Sequence, residues 1–211
     1  MKYDKKVKYG IYLITDRDIL KGRDLIQSLE EAISGGVSLV QLREKNATSL
    51  EFYKLALEVK KTTLKHNIPL IINDRLDIAI AVDAEGVHLG QEDLPIAIAR
   101  KILGQDKIIG ASTANLGEAL RAQDEGADYI GVGALFPTDT KTNTRKVTLD
   151  EIKNIKQKVI IPVVGIGGIN EKNIKSVADT GVDGVALVSA ILGCDNITER
   201  TRKLYKDFFN I

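Results

Sequence analysis

The chain has 211 residues, with 30 Lys and Arg against 29 Asp and Glu and a formal net charge of +1, so it lacks the positive excess by which proteins grip nucleic acid. Hydrophobic residues at 44% supply a globular core and exclude a disordered chain, while 5% aromatic residues and no Trp leave few flat faces for stacking bases. The single cysteine, Cys194, can close no intrachain disulfide and has no second cysteine with which to hold zinc, which points to a reducing, cytoplasmic setting.

The charged residues 1–9 lead into an apolar run at 11–14 that is too short for a signal-peptide core. The longest apolar stretch, 159–169, falls well short of the about 20 residues of a membrane span. Apolar runs that read as strands then follow at residues 10–15, 35–41, 68–73, 85–89, 107–112, 126–132, 161–166 and 181–188. Four of these (35–41, 85–89, 126–132, 181–188) repeat one phrase: a helix-like stretch ends at glycine, a small or polar residue follows, and a β-branched run begins. Glycine ends a helix readily because it takes the left-handed conformation without a Cβ clash. Between the runs, spacing near 3.6 predicts helices, as in Leu50, Tyr53, Leu57 and Leu64, or Ile152, Ile155 and Val159.

Strands nearly continuous in Val, Ile and Leu imply burial on both faces, the habit of parallel sheets. About eight strand–helix units in roughly 200 residues match a closed (β/α)8 TIM barrel, whereas an open doubly wound sheet needs fewer. No linker-like segment divides the chain, so residues 1–211 are expected to form a single TIM-barrel domain.

In a barrel the chemistry lies where strands run into the following loops. The polar residues there are Thr15 and Asp16; Gln41, Arg43, Glu44 and Lys45; Asn73 and Asp74; His88, Gln91, Glu92 and Asp93; Ser112; Thr138, Asp139, Thr140 and Lys141; Gly167 and Gly168; and Ser189. Gln41, Arg43 and Lys45 alternate and so share one side of an extended chain, which predicts an anion site. Asp74 and Asp93 end neighbouring strands, an arrangement suited to Mg²⁺, although each could instead cap the helix that follows it. Gly165-Ile166-Gly167-Gly168-Ile169-Asn170 with Ser189 matches the phosphate cradle common after strands seven and eight. His88 could be a core-lining hydrogen-bonding group or a base. Residues 136–147 are polar and rich in Thr, and predict a mobile loop able to close over a phosphorylated ligand.

The motifs Tyr12-Leu13-Ile14-Thr15-Asp16, Val40-Gln41-Leu42-Arg43-Glu44-Lys45, Ile72-Asn73-Asp74, Gly86-Val87-His88-Leu89-Gly90-Gln91-Glu92-Asp93, Pro137-Thr138-Asp139-Thr140-Lys141, Gly165-Ile166-Gly167-Gly168 and Val188-Ser189-Ala190 run in order along nearly the whole chain. Together they resemble the thiamine phosphate synthase (thiamine-phosphate pyrophosphorylase) family. The resemblance implies a Mg²⁺-dependent transferase that joins 4-amino-2-methyl-5-hydroxymethylpyrimidine diphosphate to 4-methyl-5-(2-phosphoethyl)thiazole, giving thiamine phosphate and diphosphate. It places Gln41, Arg43, Lys45, Asn73, Ser112 and Lys141 around the pyrimidine diphosphate, with Arg43, Lys45, Lys141 and Ser112 carrying the catalytic work. Asp74 and Asp93 would hold the metal, Thr138 and Thr140 would line the thiazole side, and Gly168, Val188 and Ser189 would receive the thiazole phosphate. The expected partners are small-molecule substrates, with neither nucleic acid nor membrane.

Ser112-Thr113-Ala114-Asn115 departs from the many relatives that have a histidine soon after the serine. That departure counts against the alternative of a thiazole tautomerase-like paralogue. A sugar-phosphate isomerase would need an acid–base pair beyond His88. A non-catalytic sensor of thiamine precursors would be expected to have lost the acidic pair or the cations, and both are present.

Overall fold

A computed structural model describes residues 7–138 and 145–211. Eight strands, β1 (Gly10–Ile14), β2 (Val37–Leu42), β3 (Leu70–Asn73), β4 (Gly86–Leu89), β5 (Ile108–Thr113), β6 (Tyr129–Val132), β7 (Val163–Ile166) and β8 (Gly184–Leu187), pair in sequence order, all parallel. β1 also pairs with β8, which closes the barrel. The main outer helices are α2 (Leu25–Gly35), α3 (Ser49–Lys65), α4 (Leu76–Ala81), α5 (Ile96–Leu103), α6 (Leu116–Asp124), α7 (Leu149–Lys158), α8 (Ile174–Ala178) and α10 (Ile197–Phe209). Two four-residue helices, α1 (Arg17–Leu20) and α9 (Ser189–Leu192), follow β1 and β8 at the mouth. No described helix is long and apolar enough to cross a membrane.

Alternation along each strand divides the apolar side chains into two cores. Ile11, Leu13, Val40, Leu42, Ile72, Val87, Ile109 and Ile130 face the helices, whereas Tyr12, Leu39, Ile71, Ile108, Tyr129 and Val164 fill the barrel. Both faces are dry, which is why the strands read as unbroken apolar runs. The helices begin where short polar side chains satisfy free backbone donors. Asp24 accepts from the Gln27 N–H, and Thr48 and Thr148 form reciprocal capping boxes with Glu51 and Glu151.

Two expectations need correction. Helix α3 exists, but the Leu50, Leu57 and Leu64 stripe is its solvent face, at 61%, 42% and 62% exposed. The buried stripe is Phe52, Ala56, Val59 and Thr63. The repeated glycine phrase is also not uniform. Gly36 ends α2 at φ 116 as expected, but Gly86 lies inside β4, where a Cβ would strike the Ile108 carbonyl of β5. Its phrase marks a close approach of backbones.

The polar member of the phrase has its own role at the closed end. Glu85, Asp128 and Asp183 precede β4, β6 and β8, and each accepts from the first free N–H of the preceding strand: Leu70 at 2.8 Å, Ile109 at 2.8 Å and Val163 at 2.7 Å. Each carboxylate also pairs with a cation of the outer layer, Lys60, Arg100 and Lys156 respectively. Asp128→Ala would leave the Arg100 guanidinium, 10% exposed, without its carboxylate and the Ile109 N–H without this acceptor. The variant should lose about 2–3 kcal/mol of stability, read as a Tm about 5–10 °C lower by circular dichroism, with the mouth and its ligand affinities unchanged.

Candidate active site

The C-terminal ends of the strands surround a cavity of about 630 Å³. Gln41, Arg43, Lys45, Asn73, Asp74, Asp93, Ser112, Thr138, Gly168, Val188 and Ser189 all line it. Thr140 and Lys141 lie outside the described residues, and so does Asp139. Thr15, Gln91, Glu118 and Arg145 share the wall.

On the β2 side, the chain leaves the strand after Leu42 in the extended alternation its sequence predicts. Gln41, Arg43 and Lys45 face the cavity, while the intervening Glu44 turns aside to Arg17, with Nη2 to Oε2 at 2.6 Å. Buried Thr15 holds the turn in place by accepting from the Arg43 N–H at 3.0 Å. Asp16 caps α1 through the Asp18 N–H and places its other oxygen 3.7 Å from Arg43 Nη1. The guanidinium is thus aimed across the mouth before any ligand arrives.

Neither Asp74 nor Asp93 caps a helix. The N-cap positions of α4 and α5 are Arg75 and Pro95, without side-chain capping bonds. Asp74 sits at φ 61, a left-handed conformation that Asp tolerates better than most residues and that Lys21, Asn67, Asp83 and Asn210 also adopt. Asp93 Oδ2 accepts from the Gly90 N–H at 2.6 Å, which fixes its loop. Burial, and then the Asp93 carboxyl facing it, push the Asp74 carboxyl up from its ordinary 3.8 to about 6, against the opposing pull of Lys45 and Asn73. Two facing carboxylates that resist ionising together are a donor set that a hard divalent cation would satisfy. No group of three His, Cys, Asp or Glu that could hold a metal occurs among the described residues. Two carboxylates alone suit Mg²⁺ better than a metal that needs a full protein cage, since Mg²⁺ takes one or two protein carboxylates and completes its shell with water and phosphate oxygens.

Across the mouth, the turn after β7 and the start of α9 expose backbone. Gly167 and Gly168 have φ of 97 and 62. The Gly168 carbonyl accepts from Asn170 Nδ2 at 3.1 Å and Asn173 Nδ2 at 3.0 Å, which holds the turn open. The absence of a Cβ at Gly168 serves packing as well as anion approach, since a Cβ would meet the Pro137 carbonyl oxygen and lie 2.8 Å from Phe136 Cβ. Helix α9 starts at Ser189 after Val188, with no side chain capping its first N–H groups. Uncapped N–H groups of a short extra helix at this corner are the feature that the expected phosphate cradle would use.

The loop after β6 differs from its expected loose form at both flanks. Leu135 and Phe136 donate to Ile166 and Gly167, Ala134 and Arg145 are joined through N–H and C=O at 2.9 Å, and Val147 is fully buried. Arg145 grips Glu118 of α6 with two bonds, at 2.6 and 2.8 Å. Residues 139–144 lie outside the described residues. The Thr113-Ala114-Asn115 turn is structural: Asn115 caps α6, and Glu118 accepts from the Ala114 N–H at 2.9 Å.

Residues 11–191 match the sequence profile of the family described as thiamine monophosphate synthase. The chain is 63% identical over 204 residues to the thiamine-phosphate synthase of Alkaliphilus oremlandii, covering 97% of this chain and 98% of that one. The chain belongs to the thiamine monophosphate synthase family. The thiamine-phosphate synthase of Clostridium tetani is 54% identical, with 99% of each chain covered. Among solved structures, the thiamine phosphate pyrophosphorylase of Pyrococcus furiosus superimposes with a TM-score of 0.90 at 40% identity, over 98% of both chains. In this member of the thiamine monophosphate synthase family, sequence motifs alone do not single out Tyr12, Tyr129 and Arg145. The two tyrosines are hidden inside apolar strands, and Arg145 lies in a polar run beyond the last motif residue, Lys141, with no pattern that marks it.

Proposed function

We propose that the chain is a thiamine-phosphate synthase that transfers the pyrimidine methylene group from diphosphate to the thiazole nitrogen, with Mg²⁺ at Asp74 and Asp93. The observation that carries this reading is a single cavity lined by Arg43, Lys45, Asp74 and Asp93 and also by Gly167, Gly168 and Ser189, a lining that supports one anion site of side-chain cations and carboxylates and another of backbone N–H groups. A diphosphate and a monophosphate held together are the substrates such a mouth fits.

Arg43 and Lys45 would bind the diphosphate and neutralise the negative charge that grows on the departing oxygen, the point where preorganised charge lowers the barrier most. Asp16 keeps Arg43 turned to that task. Mg²⁺ bound at Asp74 and Asp93 would add positive charge beside the same oxygens. Lys141 belongs to this group by the family resemblance. The backbone at Gly168, Val188 and Ser189 would hold the thiazole phosphate, with Thr138 along the thiazole, so that the ring nitrogen faces the carbon that diphosphate leaves. That nitrogen carries no proton, so bond formation needs no enzyme base and no nucleophilic side chain.

Incubating the purified protein with both precursors and Mg²⁺, and measuring thiamine phosphate by fluorescence after oxidation, tests the reading. Absence of product would overturn it. Arg43→Lys keeps the charge but loses the planar fork that matches two phosphate oxygens. Losing one charge-assisted bond should lower kcat/KM by roughly 10- to 150-fold. An unchanged value would mean that Arg43 only balances Asp16.

A further inference from the structure

A line of hydrogen-bonded side chains crosses the barrel beneath the mouth. Gln41 Nε2 of β2 donates to Tyr12 Oη of β1 at 2.6 Å, and Tyr12 Oη lies 2.8 Å from Tyr129 Oη of β6. Tyr129 Oη lies 2.9 Å from His88 Nδ1 of β4, and His88 Nε2 lies 2.9 Å from Ser112 Oγ of β5. Tyr12 and Tyr129 are fully buried, and Gln41 is 2% exposed. The position of Tyr129 is built in, because any Cβ at Gly110 would fall on its ring. Gln41, His88 and Ser112 reach the cavity, so the line starts and ends at the ligand surface and passes through the dry core between.

Counting hydrogens gives the line a direction. A phenol has one hydrogen to donate. Burial pushes both phenols well above the ordinary tyrosine range, so each keeps that hydrogen. Tyr12 accepts from Gln41, so its own hydrogen goes to Tyr129, its other hydrogen-bond partner among the described residues. Tyr129 accepts from Tyr12 and so donates to His88 Nδ1. The imidazole hydrogen is then on Nε2 and is given to Ser112 Oγ. Each alternative orientation of one member strands a buried polar group, which is costly.

We propose that Tyr12, Tyr129 and His88 are positioning residues that form a one-way hydrogen-bond relay, presenting the Gln41 carbonyl oxygen as an acceptor and the Ser112 hydroxyl as a donor to the pyrimidine ring. The inference rests on the pyrimidine reading above. An aminopyrimidine carries a donating amino group and accepting ring nitrogens, which is the complement of those two ends. The relay couples them: Ser112 cannot turn its hydrogen toward His88 unless every bond back to Gln41 reverses. Ligands of the opposite donor–acceptor pattern are thereby disfavoured, although neither Tyr12 nor Tyr129 lines the cavity.

The chain has two histidines, so a spectrum of the whole protein labelled with ¹⁵N-histidine shows two rings, and a His66→Gln variant assigns His88. The hydrogen should be on His88 Nε2, with Nδ1 in the range of a nitrogen that accepts a hydrogen bond. In Tyr129→Phe the Nδ1 signal should move toward that of a nitrogen accepting none. A hydrogen on Nδ1 in the parent protein, or an unmoved signal in the variant, overturns the relay. This readout needs no substrate, so it decides the relay even if the parent protein makes no thiamine phosphate and the functional reading fails. In kinetics, Tyr129→Phe should raise KM for the pyrimidine diphosphate about tenfold and KM for the thiazole phosphate less than about twofold, and Tyr12→Phe should do the same. Because both belong to one line, the double variant should be no worse than Tyr129→Phe alone. Effects that multiply, or a lower Tm with both KM values moving together or not at all, would show that the tyrosines only fill the core.

Discussion

Alanine at both Asp74 and Asp93 should lower kcat for thiamine phosphate formation by at least about 10³-fold, because the charge that offsets the departing diphosphate is then lost together with its anchor. EDTA should have the same effect on the parent protein. The fold itself should not suffer. A carboxyl whose folded value of about 6 lies above its ordinary 3.8 costs stability as pH rises between those values, and at pH 7.5 the metal-free protein bears the full cost. Metal-free Asp74→Ala should therefore unfold no earlier than the parent. Added Mg²⁺ should raise the parent's Tm at pH 7.5, less so at pH 5, where Asp74 is protonated, and leave the double variant unmoved. Full activity in the folded double variant would remove the metal from the mechanism.

The mouth was legible from sequence because its residues sit at strand ends, where a break in an apolar run marks the position. Gln41, Arg43, Asn73, Asp74, Ser112 and Ser189 each follow such a run directly, and the structure brings them to one cavity. The relay was less legible. Tyr12 and Tyr129 lie within apolar strands, where a tyrosine reads as core, and only the closed barrel brings their hydroxyls, from strands one and six, within 2.8 Å of each other. The faint signal is Gly110, a gap in β5 that the Tyr129 ring fills.

Helix α3 shows how periodicity misleads. Leu50, Leu57 and Leu64 have helical spacing, yet a second stripe of Phe52, Ala56, Val59 and Thr63 has it too, and this second stripe is the one buried. Spacing alone marks a helix without choosing between two stripes that both carry apolar residues. The polar composition of the loop after β6 hides the anchors of its described flanks, which are backbone bonds from Ala134, Leu135 and Phe136, the Arg145–Glu118 pair and the buried Val147.

The two anion sites should fail separately, and Ser189 is a better place to show it than Gly168. A larger side chain at Gly168 would push on Phe136 and Pro137 as well as on the phosphate, so a lost activity could not be assigned to either. Ser189 is exposed and is the first residue of α9, a position where an acidic side chain favours the helix through its dipole. Ser189→Asp should thus fold normally while placing a carboxylate where the thiazole phosphate would rest. Like charges at about 4 Å near a protein surface repel by up to about 4 kcal/mol, so KM for the thiazole phosphate should rise at least about 100-fold. Asp74 and Asp93 follow β3 and β4, across the barrel from β7 and β8, and Arg43 and Lys45 follow β2, with β1 between them and β8, so affinity for the pyrimidine diphosphate should fall far less than affinity for the thiazole phosphate. Calorimetric titration of each substrate, with circular dichroism to confirm folding, reads both sides at once. Equal loss of both ligands would mean one shared phosphate site, and unchanged thiazole phosphate binding would move the cradle away from Gly168, Val188 and Ser189.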